Sequence, residues 1–569
     1  MILRMRLVVL GLLLIISIQS AAWASDIPSA APPALSLPLE RLDEPPGVPA
    51  PSPQGALAAS PVVFGQFVSI QVNVNGSGAN IVGDAANEPS IAVDPFDHNH
   101  IAMGWRQFGT IRSNFREAGF AYSTDGGMTW TAGKITPGVF RSDPVLGVDA
   151  DGDFFYNSST SDLTSQVFPS INHGMTWGPS VASYGGDHPW MTIDQTDGPG
   201  RNHFYEAWST SGNAYFPNTF SRSSNDGVSF EAPIAISHSP VLGTLDVGPD
   251  GTLYVIGTDV PGGPFVFSRS TNAQNGLATP TFTTTSLDLG GAFTSGGPNP
   301  QGLLGQVWVA VDRSIGQPRS GWLYALASVQ TSTDPLDVHF IRSTDGGATW
   351  SAPLRVNDDP TGTRAFQWFG TMSVSPDGRI DAVWNDTRGS SDSTRSALYY
   401  SYSTDGGTSW SVNEQVCPVW NSMLGFPKQS KIGDYYHMIS DVNGADLAYA
   451  ATFNGEQDIY YLRFTRPVLE VATQPTQGLR LHASQPNPFR SSTTIRFEVP
   501  PGGSRVKIEV LDAGGRRLAT LIDGVRAGGV QAIRWNGLDG SGRPVAPGVY
   551  LCRCEASGRV ETRRTVRVR

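Results

Sequence analysis

Two acidic residues far apart in the chain, Asp187 and Asp434, stand in polar segments beside other reactive side chains. A carboxyl pair set across a glycosidic bond supplies a proton donor and a base or nucleophile. Tyr435 follows Asp434 directly, and polar segments elsewhere hold Glu88, Arg106, Arg141, Asp143, Arg364 and Arg388, with Trp190 and Trp368. Arginine grips a carboxylate through two parallel hydrogen bonds, and an indole offers a flat apolar face to a sugar ring. The set suits a carbohydrate, an acidic one above all. A second set is repeated rather than scattered: "STDGGMTW" from Ser123, "STDGGATW" from Ser343 and "STDGGTSW" from Ser403. The first set converges only if a fold spanning several hundred residues brings its segments to one place.

The repeats indicate that fold. Seven segments read as a short apolar strand, a polar turn often holding Asp-Gly, and a second apolar strand: they begin at Ile91, Leu146, Met191, Leu245, Val309, Met372 and Met438. This is a β-hairpin pattern. After each hairpin except the last come a third strand and the eight-residue element or a worn version of it. The worn versions are "SINHGMTW" (Ser170), "SSNDGVSF" (Ser223) and "STNAQNG" (Ser270), so the element recurs every 47 to 73 residues. A fourth strand follows each. Seven four-stranded units in series predict an all-β chain and a seven-bladed β-propeller, with six blades as the runner-up. The seventh unit stops one strand short, and the isolated strand "FVSIQVNVN" from Phe67 is expected to supply the missing one. In such a ring the loops entering each inner strand and those joining second to third strands open on one face, which gathers the candidate residues.

Ser-x-Asp-x-Gly-x-x-Trp resembles the Asp box, or bacterial neuraminidase repeat, of sialidase-like propellers. Three copies match completely: Ser123/Asp125/Gly127/Trp130, Ser343/Asp345/Gly347/Trp350 and Ser403/Asp405/Gly407/Trp410. The resemblance covers residues 62–466. It implies a structural role for the box, on the face opposite the ligand, and a glycan as ligand. Sialidases also use an arginine triad, an Asp acid/base and a Tyr nucleophile activated by Glu. The Tyr position at the start of the last inner strand corresponds to Tyr435 or Tyr436. The first arginine of the triad is absent, because its position reads Asn87-Glu88-Pro89-Ser90. Two functions therefore stay open: an exo-acting glycoside hydrolase using Asp187, Asp434 and Tyr435, and a non-catalytic propeller that binds a carbohydrate or a protein.

Residues 479–569 change pattern, with alternating strands and Gly-rich turns that predict a small β-sandwich. Pro486-Asn487-Pro488-Phe489, Trp535-Asn536-Gly537, Asp539, Gly542 and Gly548-Val549-Tyr550 resemble C-terminal sorting domains of type IX secretion and the Ig-like module of flagellar hook-capping proteins. The resemblance implies type IX secretion machinery as a partner and a Gram-negative cell surface or the medium as the destination. A plain surface-binding Ig-like module is the alternative.

The N-terminus fits export. Arg4 and Arg6 precede the apolar run Leu7 to Ile18, and Ala22-Trp23-Ala24 offers a cleavage site, so 1–24 reads as a signal peptide. An uncleaved anchor is the competing reading of that run. Residues 25–61 and 467–478 read as linkers, the first rich in Pro and Ala. No later segment is apolar enough to span a bilayer. The formal charge of −11 is uneven: 467–569 carries 16 Lys/Arg against 8 Asp/Glu, net +8, which leaves −19 on the rest. That acidity argues against nucleic acid. Three cysteines exclude a full disulfide framework. "DADGD" at Asp149 reads as a turn rather than a calcium loop, and "HNH" at His98 is expected to lack neighbouring ligands. The expectation is a monomer with neither metal nor cofactor.

Overall fold

A computed structural model describes residues 59–465, 480–482, 484–499, 503–512, 514–556 and 559–568. The expected leader and nearly all of both linkers lie outside them. Every regular element among the described residues is a β-strand.

Between residues 62 and 465 seven antiparallel sheets follow one another, and a two-stranded hairpin, Ser295–Gly296 with Asn299–Leu303, lies between the fourth and fifth. The first runs Ala85–Val93, Ile101–Phe108, Glu117–Ser123, Thr131–Lys134, each strand pairing with the next. The second, fourth, fifth and sixth repeat this order. The third has only three strands, and its fourth place holds a single bridge, Phe220 to Ile234. Pro233 stands there and has no N–H to give to a ladder. The seventh sheet takes His437–Asp441, Gly444–Ala451 and Asp458–Thr465 from one end of the chain and Phe67–Gln71 from the other. Ser69 pairs with Leu462 and Ile70 with Tyr461, which is the pairing anticipated for the isolated strand.

The first strand of each sheet touches the first strand of the next, and His437–Asp441 touches Ala85–Val93, so the succession returns on itself. Sandwiching explains the burial pattern. Ala85–Val93 and Ile101–Phe108 are buried at every residue, whereas the outer Thr131–Lys134 and Thr283–Leu287 are half-buried or exposed at every residue. Each large apolar side chain taken from water there stabilises the fold by about 1.5–3 kcal/mol.

The repeated box lies in the turn between third and fourth strands. Ser123 Oγ accepts the Gly127 N–H at 2.8 Å and donates to Asp125 Oδ1 at 2.8 Å. Asp125 Oδ1 also accepts the N–H of Met128 and Thr129, and Oδ2 the Thr129 hydroxyl. The worn copies keep this pattern with Asn172 and Asn225 in place of Asp. The tryptophan does more than cover its own turn. Trp130 packs on Tyr461, Trp177 on Phe120, Trp350 on Phe267 and Trp410 on Phe340, in each case an aromatic of the preceding sheet. Gly127, Gly347 and Gly407 have φ of 77 to 86°, and an added β-carbon would fall 2.1 to 2.2 Å from those same Tyr461, Phe267 and Phe340 rings. Glycine is required there by both backbone and neighbour.

The C-terminal residues form two further antiparallel sheets, one of Arg480–Leu481, Thr493–Val499 and Gly529–Trp535, the other of Arg517–Arg526, Ser504–Asp512, Gly548–Ala556 and Arg559–Arg567. They share a core that includes Phe489, Phe497, Ile508, Trp535 and Tyr550. Cys417, Cys552 and Cys554 are free and buried. Asp149 caps its own turn by accepting the N–H of Asp151 and Asp153.

Candidate functional site

Three successive inner strands begin alike: Glu88-Pro89, Asp143-Pro144 and His188-Pro189. Glu88, Asp143 and His188 take φ of 52, 46 and 49°. Left-handed backbone is uncommon outside glycine, and a following proline restricts it further. In the first two strands a bulge accompanies the turn, between Asn87 and Ser90 and between Ser142 and Val145. The repeat thus delivers a charged side chain to the same end of three neighbouring strands, the end remote from the boxes.

Glu88 is fully buried and faces two cations, Arg106 at 3.0 Å and Lys431 at 3.6 Å. Arg106 also donates to Asn87 Oδ1. Lys431 donates to Asp434 Oδ2 at 2.6 Å, and Asp434 Oδ1 accepts the Leu303 N–H at 2.7 Å. The hairpin Asn299–Leu303 is tied down by Asn299, which donates to the Gly433 carbonyl and accepts from the Ile432 N–H. His188 Nε2 lies 3.8 Å from Asp434 Oδ2 and 3.9 Å from Asp187 Oδ2, so the imidazole stands between the two carboxylates. Asp187, its side chain 31% exposed, is the most open member of the group.

The environments push these groups apart. Burial drives the Glu88 carboxyl well above the usual glutamate range despite Arg106 and Lys431. Burial also acts against a charge on Asp434, yet Lys431, His188 and Arg106 outweigh it and hold that carboxyl below its ordinary value. For His188 burial again opposes the charge, and Asp187, Asp434 and Asp143 raise it past the ordinary imidazole value. Two neighbouring carboxyls whose surroundings push them in opposite directions are the pattern from which acid and base roles can be divided. His437, buried between Trp190 and Trp308, is pushed down to about 3 by burial and stays neutral.

The sequence candidates separate into groups. Glu88, Arg106, Asp143, Asp187 and Asp434 gather here. Tyr435 is buried, donates to the Pro144 carbonyl at 2.9 Å and meets Trp190 edge-on. Trp190 and Trp368 offer no face to a ligand: the first packs among Trp308, Tyr435 and His437, and the second is fully buried against Phe369 and Trp420 with its N–H on Ser396. Arg141 donates to Gln166 and lies over Phe168. Arg388 is held by Asp386 and Asp358 and lies over Tyr399. Arg364 is exposed at φ 62°.

Two contributions escaped the sequence. Lys431 is the central cation, visible only as a lysine three residues before Asp434. The other is aromatic. Residues 208–219, the longest connection between second and third strands, carry "NAYFPN". Its Gly212 accepts the Asp187 N–H, Tyr215 meets Tyr184 edge-on at 5.3 Å, and Phe216 is 68% exposed. An accessible aromatic ledge therefore adjoins Asp187 and His188.

One expectation is overturned at the opposite end. His98 does have neighbouring ligand-type groups, with Nε2 3.0 Å from both Asp446 oxygens and 4.0 Å from Asp441. They come from the seventh sheet, which lies beside the first only because the succession closes.

Comparison with known proteins matches residues 121–132 to the BNR/Asp-box repeat and 486–559 to the FlgD Ig-like domain. A xyloglucanase of Paenibacillus sp is 27% identical over 262 residues, 45% of this chain and 21% of that enzyme. This chain thus spans about a fifth of that relative's length. Among solved structures, a Dyadobacter fermentans protein of unknown function aligns at 15% identity and TM-score 0.40, covering 70% of this chain and 98% of its own. PorZ, a type IX secretion surface component of Porphyromonas gingivalis, aligns at 12% and 0.37, covering 85% and 59%. Trypanosoma rangeli sialidase aligns at 12% and 0.32, covering 88% and 89%. The described residues are all-β, and the chain carries a BNR/Asp-box repeat ahead of a FlgD-type Ig-like match.

Proposed function

We propose that the seven sheets are the blades of a secreted, sialidase-like β-propeller that binds an extracellular glycan at the strand ends remote from the boxes. The carrying observation is the ledge of Tyr184, Tyr215 and Phe216 beside the partly exposed Asp187 and the largely buried His188. Aromatic faces stack on sugar rings while a carboxylate and an imidazole orient hydroxyls. The partial likeness to a xyloglucanase supports a polysaccharide ligand. Binding without cleavage is favoured over sialidase action because Arg106 and Arg388 are engaged by carboxylates and Tyr435 by a carbonyl. A glycan array on the full chain tests this. Binding that falls with Tyr215→Ala and Asp187→Asn supports it, and binding indifferent to both overturns it.

Hydrolysis is the second reading, favoured by one observation: Glu88 is pushed toward the acid and Asp434 toward the carboxylate. Turnover of any member of a fluorogenic glycoside panel, lost in Glu88→Gln, would establish it and displace the binding reading.

For residues 479–569 the proposal is a type IX sorting module that delivers a monomer to the surface or the medium. Truncation at Ala472 should strand the protein in the periplasm. Unchanged export would leave a plain Ig-like module.

A further inference from the structure

His173 occupies a position that the complete boxes give to glycine. Gly126, Gly346 and Gly406 stand there with φ of 71 to 73°, and His173 adopts φ 60° in the copy that begins at Ser170. Left-handed backbone costs a residue with a β-carbon roughly 1 kcal/mol, and the turn itself gains nothing from an imidazole. The copy beginning at Ser223 carries Asp226 at the same position with φ 58°, so the turn accepts such a residue, and it is the surroundings of the imidazole that mark His173 out.

That side chain reaches the hairpin turn of the first sheet. Its Nδ1 lies 3.1 Å from Asp94 Oδ2. The same oxygen lies 3.8 Å from Nδ1 of His100, and Asp97 Oδ2 is also 3.8 Å from that nitrogen. Asp94 uses its other oxygen to hold the turn, accepting the N–H of Phe96 at 2.7 Å and of Asp97 at 3.3 Å. The carboxylate is therefore fixed with one oxygen aimed at both imidazoles. Both Nδ1 atoms are shielded from solvent and make no hydrogen bond. The cluster near His98 differs, because Arg463 already pairs with Asp441 and Asp446 and supplies the positive charge.

We propose that Asp94, His100 and His173 bind a divalent transition-metal ion of the zinc class, with Asp97 as a further carboxylate, and that the ion clamps the first sheet to the second. Two imidazole nitrogens and a carboxylate oxygen suit zinc, cobalt or nickel, whereas calcium and magnesium prefer all-oxygen sites. The two rings now stack in parallel, 4.1 Å apart and 7° from coplanar. Parallel rings cannot both aim in-plane lone pairs at one ion, so binding turns one ring, and the more exposed His173 is the one to turn.

The experiment uses the tag-free full chain stripped with EDTA, titrated with Zn2+ by calorimetry and by competition with a chromophoric chelator. The expected result is one tight equivalent, a melting temperature raised by Zn2+ and unmoved by Ca2+ or Mg2+, and affinity lowered at least about tenfold in His173→Gly. That variant restores the residue of the complete boxes, so it folds. His100→Gln should weaken Zn2+ similarly. The proposal is overturned if the native chain takes up no tight equivalent, if both variants bind Zn2+ as well as it does, or if Ca2+ produces the shift instead.

Discussion

Asp405 and Glu88 are acids at opposite ends of the strands, and the fold treats them in opposite ways. Asp405 sits in a solvent-facing turn and accepts from Ser403, Thr408 and Ser409, all within 3.0 Å. Burial is the largest single influence and works against its charge, but those donors together outweigh it and hold it down to about 2. Glu88 sits in the interior with two cations beside it, and burial still pushes its carboxyl well up. The turn provides hydrogen-bond donors while leaving water within reach, whereas the interior removes water and returns only charge. A carboxylate with ready-made donors is a fastening. One stripped of water is reactive or sensitive to pH, and this contrast separates the scaffold end from the candidate site end.

The most damaging test of the scaffold end is Gly407→Ala. The new β-carbon meets Phe340 at 2.1 Å on a backbone with φ 77°. Overpacking and left-handed strain together should cost about 3–5 kcal/mol, read by denaturant unfolding. A loss below 1 kcal/mol would mean that the box does not need close sheet-to-sheet contact.

Glu206 sharpens the other side. It is fully buried between the second and third sheets, and burial pushes it up to about 7 from its usual 4.5 against the weaker opposing pull of Asn157, Ser165 and Ser183. The unfolded chain releases this proton near pH 4.5 and the folded chain near 7. Folding stability therefore falls as pH rises between those values and stays lowered above them. Glu206→Gln should abolish that dependence and gain about 3 kcal/mol at pH 8. Equal stability of the two proteins from pH 5 to 8 would refute the assignment.

Asp405→Ala should act with the opposite sign and less force, about 1 kcal/mol at pH 7 because the turn is open to solvent. Its depressed folded pKa means that the contribution is present above about pH 4 and is lost as pH falls through about 2. A thermal-melt series that shows the mutant gap constant down to pH 2 would contradict the donor-based account. The smallest effect is expected at the ledge. Tyr215→Ala should leave the melting temperature unchanged and weaken glycan binding about tenfold, near 1.4 kcal/mol. A shifted melting temperature would make Tyr215 part of the scaffold.

What the sequence disclosed follows from how local each feature is. The boxes are legible because Ser, Asp and Gly satisfy one another within eight residues, and the hairpins because each holds its own turn. The pairing of Phe67–Gln71 was legible by counting, since the last unit lacked a strand. Trp190 and Trp368 were not, because exposure of an inner-strand side chain is decided by a neighbouring sheet. Lys431 and the partners of His98 were hidden for the same reason: Glu88 and Asp446 stand hundreds of residues from them. The left-handed Glu-Pro, Asp-Pro and His-Pro starts were visible as a repeat, and that repeat would have picked out His188.

The shared seventh sheet has a mechanical consequence. Its two halves come from opposite ends of a segment of some 400 residues, so the chain leaves the ring on both sides from a single sheet. If the region after residue 465 is held at a membrane and load is applied to the region before residue 59, the force passes through the seam between Phe67–Gln71 and Asp458–Thr465. The antiparallel seam is then the one place where traction is taken up, and the six remaining sheets stay outside the line of force. Yielding begins at that latch, and the strand ends remote from the boxes feel the pull last.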